Sequence, residues 1–280
     1  MTPRVSVVVP AYNSVGYLAA TVDSILGQTF TDFELIISDH SSSDGSWELL
    51  QRYADEPRVT LTRQPAGGGA AANWNAVTAA ATGEYVKLVC SDDLLYPHAL
   101  AEQVAALDAH PGAVLAAARR DIVDARGEVL IKSRGLQGIE GPISGTAAIR
   151  RSVRAGTNVF GEPACVLIRR SVLADEGNWD ANYSYLIDQA SYARVLAHGD
   201  LVPVFEPLAG FRVSDQQWSV RLARSQFAEV QGYHRTIAAA HPGLLSRADL
   251  LVGDAMAWVN ALGRRLVYFG LRRRLRSTPR

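Results

Sequence analysis

Residues 5–13 read VSVVVPAYN, and this stretch decides the fold. Four of its first five residues are the apolar, β-branched valine, the composition of a strand covered on both faces of a sheet. Pro10 ends the strand, and Asn13 or Ser14 can cap a helix that ends near Gly27. The stretch therefore predicts a buried strand followed by a helix.

The same alternation continues through the first hundred residues. Further strands are predicted at residues 33–38, 59–62 and 85–90, with a helix after residue 45 and an alanine-rich helix over residues 70–81. Strands that alternate with helices indicate a parallel sheet with helices on both faces. The predicted fold class is therefore α/β.

In such sheets, ligands bind beyond the carboxyl ends of the strands. Three of the four predicted strand ends carry polar or acidic residues, namely residues 10–13, Asp39, and Ser91 with Asp92 and Asp93. The remaining end carries the glycines at residues 67–69, which lack the Lys-Ser/Thr of a phosphate-binding loop and favour a flexible connector. We expect the polar groups to lie close together at one edge of the sheet.

Asp92 and Asp93 are adjacent carboxylates at the end of a buried strand. One interpretation is structural, since aspartate often caps strands and turns. The other is a site for Mg²⁺ or Mn²⁺, which proteins hold through one or two carboxylates together with substrate phosphates. A diphosphate leaving group would need such a cation.

The composition excludes several classes of protein. The chain has 280 residues, of which 48% are hydrophobic and 20% charged, so it can bury a sizeable core. Its net charge is zero, without the basic excess of a nucleic-acid-binding protein. Cys90 and Cys165 are interpreted as reduced core thiols. The first apolar run is too short for a signal peptide or a membrane span, so a cytoplasmic location is expected.

The second half of the chain is less regular. Strands are predicted near residues 114–118, 129–131 and 164–168, and helices at residues 170–174 and 190–197. From about Gln216 the pattern changes to helices only, which suggests a catalytic domain over residues 1–215 and a C-terminal helical extension over residues 216–280. One apolar helical face recurs at three- or four-residue steps in this extension, at Leu251, Ala255, Trp258, Val259, Leu262 and Leu266.

Four motifs stand in one order along the first hundred residues. They are VVVPAYN at residues 7–13, Asp39 with SSSD at residues 41–44, NWN leading to ATGEYV at residues 73–86, and SDD at residues 91–93. This arrangement closely resembles the family 2 glycosyltransferases of the GT-A fold, a mostly parallel, Rossmann-like sheet flanked by helices. The resemblance continues more weakly to about residue 215. It implies an inverting transfer of a sugar from a UDP- or dTDP-sugar to an acceptor hydroxyl in glycan, polysaccharide or glycoconjugate biosynthesis.

The resemblance also implies roles for single residues on the donor side. Asp39 matches the acid that accepts a hydrogen bond from the base, and Asp92 matches the carboxylate on the ribose and diphosphate side. Asp93 matches the ligand of Mn²⁺ or Mg²⁺. The other donor-side residues are Pro10, Ala11, Tyr12, Asn13 and Asn75. Cys90 departs from the family pattern, because many members carry an acid there.

On the acceptor side, Glu162 lies in a segment that resembles the family's acceptor loop, and Trp179 lies in the segment that precedes the catalytic base. Asp188 matches that base, with capping of the helix predicted near Ala190 as the alternative. Arg212 matches a phosphate contact in the closing segment, or is an exposed, solvated arginine on a strand edge. Ser214 stands where members often have histidine.

Three other functions remain as alternatives. A dinucleotide-dependent oxidoreductase is disfavoured because no G-x-G-x-x-G follows the first strand. A metal-dependent nucleotidyltransferase and a sugar-nucleotide-binding protein without turnover stay open. Residues 255–280 contain seven arginines and no acidic residue. They suggest contact with the inner face of a membrane near a lipid-linked acceptor, or a solvated helix end with a disordered tail.

Overall fold

The computed structural model describes residues 2–214 and 226–270, apart from the side chains of Gln226 and residues 264–270. They form a mixed sheet flanked by helices, followed by two C-terminal helices. The remaining residues that the helical extension was predicted to include, 216–225 and 271–280, lie outside the described part of the chain.

The strand order explains where a ligand site can form. Along the main path the order is β3-β2-β1-β4-β8-β6-β9-β5, and β7 pairs with β6. The first four strands in sequence pair in parallel, as predicted, whereas β8 runs antiparallel to both β4 and β6. The strands are β1 Val5–Ala11, β2 Phe33–Asp39, β3 Val59–Arg63, β4 Tyr85–Leu88, β5 Leu94–Leu95, β6 Ala113–Val123, β7 Val129–Arg134, β8 Val166–Arg169 and β9 Asp200–Arg212.

Helices cover the sheet and extend the chain beyond it. They are α1 Val15–Leu26, α2 Ser46–Leu50, α3 Gly69–Ala79, α4 Ala99–Ala109, α5 Gly145–Ala155, α6 Arg170–Asp175, α7 Ile187–Leu196, α8 Gln226–Ala240 and α9 Arg247–Gly270. Single 3₁₀ turns lie at Gln51–Tyr53 and Pro163–Cys165. No helix among the described residues is long and apolar enough to cross a membrane.

The core confirms the buried strand predicted for the opening stretch, although this strand continues through Pro10 to Ala11 rather than ending at Pro10. All seven residues of β1 are buried, and α1 buries Leu18, Val22 and Ile25 against the sheet. Each such aliphatic side chain stabilises the fold by about 1.5–3 kcal/mol. Ser14 occupies the N-cap position of α1, but its hydroxyl makes no cap bond. The loop is held instead by Asn13, whose Oδ1 accepts the N–H of Ser43 at 2.9 Å.

Some elements differ from the sequence-based expectation. The helices α4 and α5 have no counterpart among the predicted elements, and β9 is a strand of 13 residues. The helix predicted to begin near Ala190 begins at Ile187, so Asp188 lies inside its first turn rather than before it. This difference changes the backbone around the predicted catalytic base.

The C-terminal helices pack on the sheet domain. In α8, Glu229 accepts the backbone N–H of Tyr185 at 2.8 Å, and the ring of Tyr233 contacts that of Tyr183. In α9, the buried Asp249 forms ion pairs with Arg150 and Arg154 of α5. These contacts join the helical extension to the rest of the fold, while the domain boundary near residue 215 stays a prediction.

Candidate active site

The ends of β1 and β2 form one side of the candidate site. Ala11 pairs with Asp39 in the sheet register, and His40 donates its backbone N–H to the carbonyl of Ala11 at 2.9 Å. Asp39 is fully buried, and its Oδ2 accepts from the backbone N–H of Ser42 and from Nε of Arg63, both at 3.2 Å.

The second carboxylate oxygen of Asp39 is different. Oδ1 has no hydrogen-bond partner within the described part of the chain, although it is buried. A buried acceptor that lacks a partner costs about 1–3 kcal/mol. A ligand with an N–H group aimed at this oxygen would remove that cost.

The loop after β1 exposes Tyr12 and Asn13. Pro10 and Ala11 are buried, and the carbonyl of Ala11 accepts a hydrogen bond from Nδ2 of Asn73 at 3.2 Å. Tyr12 is 59% exposed, with its ring 6.0 Å from that of His40. Of the four predicted residues, Pro10 and Ala11 thus lie in the buried end of β1, Tyr12 exposes its ring, and Asn13 holds the loop in shape.

The Asp92-Asp93 pair follows β4 on the other side of β1. Asp93 is fully buried, and its Oδ1 accepts the backbone N–H of Arg212 at 3.0 Å, while Oδ2 is buried without a partner among the described residues. Asp92 is only half-buried. One carboxylate oxygen of each aspartate and Sγ of Cys90 all lie within 4.8 Å of one another. This spacing and this donor set fit a divalent cation.

The raised pKa values of Asp92 and Asp93 also favour a bound cation at this pair. Burial raises the pKa of Asp92 to about 6, against the opposing effect of Arg212. Burial, and then the neighbouring charge of Asp92, hold the pKa of Asp93 well above its usual range. Two carboxylates crowded in a buried place resist ionisation, and a bound cation favours their charged forms.

Arg212 is not the exposed arginine that the alternative interpretation assumed. It is 4% exposed, and its Nε donates to the carbonyl of Asp92 at 2.8 Å. Its Nη1 donates to the carbonyls of Asp124 and Ala125 at 3.2 and 3.1 Å. Arg212 therefore holds the aspartate loop, while its predicted phosphate contact stays a prediction.

Asp188 lies in the first turn of α7. Its Oδ2 accepts from Nδ2 of Asn158 at 2.9 Å, and its Oδ1 accepts the backbone N–H of Gln189 at 2.7 Å. Burial raises the pKa of Asp188 to about 7, with a further contribution from Glu162 and opposing contributions from the two hydrogen bonds. A carboxylate that titrates near neutral pH is suited to general-base chemistry.

Glu162 connects Asp188 with the aspartate pair. Its negative charge contributes to the raised pKa values of Asp188, Asp93 and Cys90, so the four groups lie near enough to interact electrostatically. Arg120 holds it in place: Nη2 donates to Oε1 at 2.9 Å, and Nε lies 2.6 Å from Oε2.

Sequence reasoning missed two residues of the candidate site. Asn158 supports the loop before Glu162, since its Nδ2 donates to the carbonyl of Gly161 and its Oδ1 accepts the N–H of Phe160. An asparagine three residues before a glycine is a recognisable turn signal. Arg120 was detectable as a charge at the end of an apolar strand, which requires a partner if it is buried.

Two residues that were predicted to contact a ligand make hydrogen bonds within the protein. Asn75 donates to the carbonyl of Trp179 at 3.0 Å and accepts its backbone N–H at 2.8 Å, so both ends of its amide are engaged. The Trp179 side chain is 3% exposed, and its indole N–H donates to Thr78 at 2.8 Å. Trp179 is thus a core residue, and it does not present an acceptor-facing surface.

The arrangement defines an α/β protein with its candidate site at the carboxyl ends of parallel strands. One end of the site carries the buried acceptor Asp39 and the exposed ring of Tyr12, and the other end carries the carboxylates of Asp92 and Asp93. The model of glycosyl transferase family 2 matches residues 6–177, more than half of the chain. The chain belongs to this family.

Proteins of similar sequence match only part of this chain. Chondroitin synthase of Pasteurella multocida is 40% identical over 99 residues, which are 35% of this chain and 10% of that protein. The putative glycosyltransferase EpsE of Bacillus subtilis is 36% identical over 110 residues, 39% of this chain and 40% of that protein. The matched segments therefore span well under half of these relatives.

Solved structures support the fold over nearly the whole chain. The structure of Staphylococcus aureus TarS 1-349 in complex with UDP-GlcNAc superimposes with a TM-score of 0.70 at 19% identity, over 96% of this chain and 73% of that one. The mannosyltransferase PcManGT from Pyrobaculum calidifontis, in complex with GDP-Man and Mn²⁺, gives 0.61 at 20% identity, over 96% and 80%. The GT-A fold predicted from the sequence is confirmed.

Proposed function

We propose that this glycosyltransferase transfers a sugar, with inversion, from a nucleoside-diphosphate sugar to an acceptor hydroxyl. The observation that carries the proposal is a set of interacting carboxylates: Glu162 raises the pKa of Asp188, which burial brings to about 7, and also that of Asp93 in the candidate cation pair Asp92 and Asp93. The structural neighbours that were solved with UDP-GlcNAc and with GDP-Man and Mn²⁺ support a donor of this class.

The base of the donor fits the end formed by β1 and β2. Uracil, thymine and guanine each carry a ring N–H that the unpartnered Oδ1 of Asp39 can accept. The exposed ring of Tyr12 offers a surface on which the base can stack. We favour UDP or dTDP, with GDP as the alternative that the comparison adds.

Asp92 and Asp93 would hold Mn²⁺ or Mg²⁺. The cation would bind the diphosphate oxygens and stabilise the charge that develops on the leaving group. Burial refines the division of labour that the resemblance implied. Asp92 is the more exposed carboxylate, which suits the ribose and diphosphate side of the donor. Asp93 has a buried Oδ2 without a partner among the described residues, which suits a direct ligand of the cation.

Asp188 would act as the general base. It would accept the proton of the acceptor hydroxyl as the oxygen attacks the anomeric carbon from the face opposite the diphosphate, which inverts that centre. Asn158 and the backbone of Gln189 orient the carboxylate through the bonds described above. Holding both substrates in line would supply much of the rate acceleration.

The acceptor and the setting are part of the same proposal. Relatives that include a chondroitin synthase and a putative teichuronic acid biosynthesis glycosyltransferase support a glycan or lipid-linked acceptor in polysaccharide or glycoconjugate assembly. We place this reaction in the cytoplasm, at the inner face of the membrane. Glu162, beside Asp188, is the acceptor-side residue that we retain.

One observation favours a second function, the binding of nucleotide sugars without turnover. Cys90 replaces an acid beside the cation pair, and this neutral thiol weakens the negative field that would hold the cation.

Release of nucleoside diphosphate separates the two functions. We expect release from UDP- or dTDP-sugars in the presence of Mn²⁺ that increases with a suitable acceptor and disappears with EDTA. Tight donor binding without release, across a panel of donors and acceptors, would support the second function.

A further inference from the structure

The last helix, α9, exposes an apolar face. Six large hydrophobic side chains project from it into solvent: Leu251 (73% exposed), Trp258 (58%), Val259 (50%), Leu262 (45%), Val252 (41%) and Met256 (39%). Soluble monomers rarely leave so many large apolar side chains contiguous and exposed.

The face is continuous. At 100° per residue, the exposed positions between Leu251 and Gly263 fall on one arc of about 160°, and the face is about 17 Å long. None of the eight residues on this arc is charged, since the set is completed by Ala255 and Gly263. The single acid in this stretch, Asp254, points elsewhere and contacts His234 of α8 at 2.8 Å.

Packing on the opposite side prevents the helix from turning this face inward. Gly253 lies so close to α5 that an added Cβ would be 2.5 Å from the carbonyl of Val153. Ala257 is 2% exposed, and Asn260 donates to the carbonyl of Ala155 at 2.8 Å. The apolar face is therefore a fixed outer surface of the fold.

Charge identifies what covers this face. The sequence from residue 264 to residue 280 carries seven arginines and no acidic residue. Near an anionic membrane each such residue contributes about 1 kcal/mol of attraction. A second copy docked with its α9 parallel to the first would instead bring two arginine-rich segments together, and like charges repel.

The side chains also suit a lipid interface. A helix that lies in the membrane surface typically combines leucine, valine and tryptophan on the buried side with basic residues nearby. Tryptophan in particular prefers the level of the lipid headgroups. We propose that the outer face of α9 docks on an anionic lipid surface, to which the arginine-rich sequence of residues 264–280 adds electrostatic attraction. This docking does not depend on the donor chemistry proposed above.

Vesicle co-sedimentation tests the proposal with the full chain. We expect binding to vesicles of phosphatidylcholine with about 30% phosphatidylglycerol, weaker binding to phosphatidylcholine alone, and a decrease as salt is raised. The double variant V252E/V259E should lose at least tenfold in vesicle affinity. The matched control is V129E/I131E, which changes two valine or isoleucine side chains of similar exposure on β7 and should bind as the wild type does.

Further readouts keep the test decisive. Thermal unfolding and donor-nucleotide binding of both double variants should match the wild type, because neither pair contacts the candidate active site. Trp258 fluorescence, isolated by subtracting a W258F variant, should shift to the blue on anionic vesicles. Equal vesicle binding by wild type and V252E/V259E, or none by the wild type at low salt, would overturn the proposal. Self-association that V252E/V259E abolishes, without vesicle binding, would assign the face to a second copy.

Discussion

Arg212 and Asp93 are joined across 119 residues of sequence, because the backbone N–H of Arg212 donates to Oδ1 of Asp93 at 3.0 Å. In addition, Nε of the Arg212 side chain donates to the backbone carbonyl of Asp92 at 2.8 Å. The last strand of the sheet domain thus fixes the carboxylate of Asp93 and the backbone of Asp92. Arg212 would act on the reaction through these two residues.

Replacement of Arg212 by methionine tests this positioning role. We expect R212M to lower the free energy of unfolding by about 2–4 kcal/mol, because it leaves the carbonyls of Asp92 and Ala125 without the donors that Arg212 provides. Mn²⁺ affinity should fall along with stability. Urea unfolding and calorimetric titration with Mn²⁺ measure the two effects. R134M, which changes an exposed arginine of β7, is the control, and equal effects of the two substitutions would exclude the role.

The cation site is tested by removing one charge at a time. D92N and D93N should each weaken UDP binding in Mn²⁺ by at least tenfold while binding in EDTA stays unchanged. The amide keeps the size of the side chain, and in D93N its oxygen can still accept the Arg212 N–H. Titration calorimetry measures both affinities, with D108N on the far side of α4 as the control. Wild-type affinity of both variants in Mn²⁺ would remove the cation from the mechanism.

Cys90 provides a gain-of-affinity test of the same site. C90D adds a carboxylate within the 4.8 Å cluster and should tighten Mn²⁺ binding on the order of tenfold, about 1.4 kcal/mol. C90S keeps the side chain small and neutral, so it should leave the affinity unchanged. A result in which C90D binds Mn²⁺ no better than C90S would mean that the residue 90 side chain does not reach the cation.

The general base is tested by the pH dependence of transfer. Since Asp188 must be unprotonated to accept a proton, kcat should fall as the pH drops through about 7, the folded-state pKa of this group. D188N should lower kcat by about 10² or more and keep donor binding. Transfer by D188N at the wild-type rate would contradict the assignment.

Glu162 gives an independent check of that titration. Its charge contributes to the raised pKa of Asp188, so E162Q should move the acid limb of the kcat profile to lower pH. The glutamine can still accept a hydrogen bond from Arg120, which limits the disturbance of the loop. An acid limb that stays in place in E162Q would show that another group controls it.

How much the sequence revealed depended on how local each signal is. The strands β1 to β4 were predictable because each is a short run rich in β-branched, aromatic or other apolar residues and is bounded by turn residues. The helix α4, ALAEQVAALDA, was missed because its many alanines give little contrast between its two faces. The position of β8 between β4 and β6 depends on pairs such as Tyr85 with Arg169, which no local pattern encodes.

The candidate site divides in the same way. Asp92, Asp93 and Asp188 were found because they stand in motifs, and motifs are local. Asn158 and Arg120 act across 30 and 42 residues on Asp188 and Glu162, and their parts became visible only in three dimensions. Motif position alone also misplaced Trp179, because the sequence does not reveal that its indole is buried against Thr78.

The fully buried Lys87 predicts how stability depends on pH. Its Nζ donates to Oε1 of Gln103 at 2.7 Å and to the carbonyl of Val166 at 3.2 Å, and no carboxylate among the described residues forms an ion pair with it. Burial lowers its pKa from 10.5 to about 7. Between these two values the unfolded chain holds a proton that the folded protein has released. The free energy of unfolding therefore rises with pH over this window, by up to about 5 kcal/mol at about 1.36 kcal/mol per pKa unit.

Replacement of Lys87 by methionine, which keeps the length of the side chain, should remove this rise. K87M should also be more stable than the wild type at pH 6, where the wild type carries the buried charge in full, and the difference should shrink towards pH 10. Urea unfolding at several pH values measures both trends. K132M, which changes an exposed lysine of β7, should retain the wild-type profile. A K87M profile parallel to that of the wild type would mean that Lys87 titrates near its ordinary value in the folded protein.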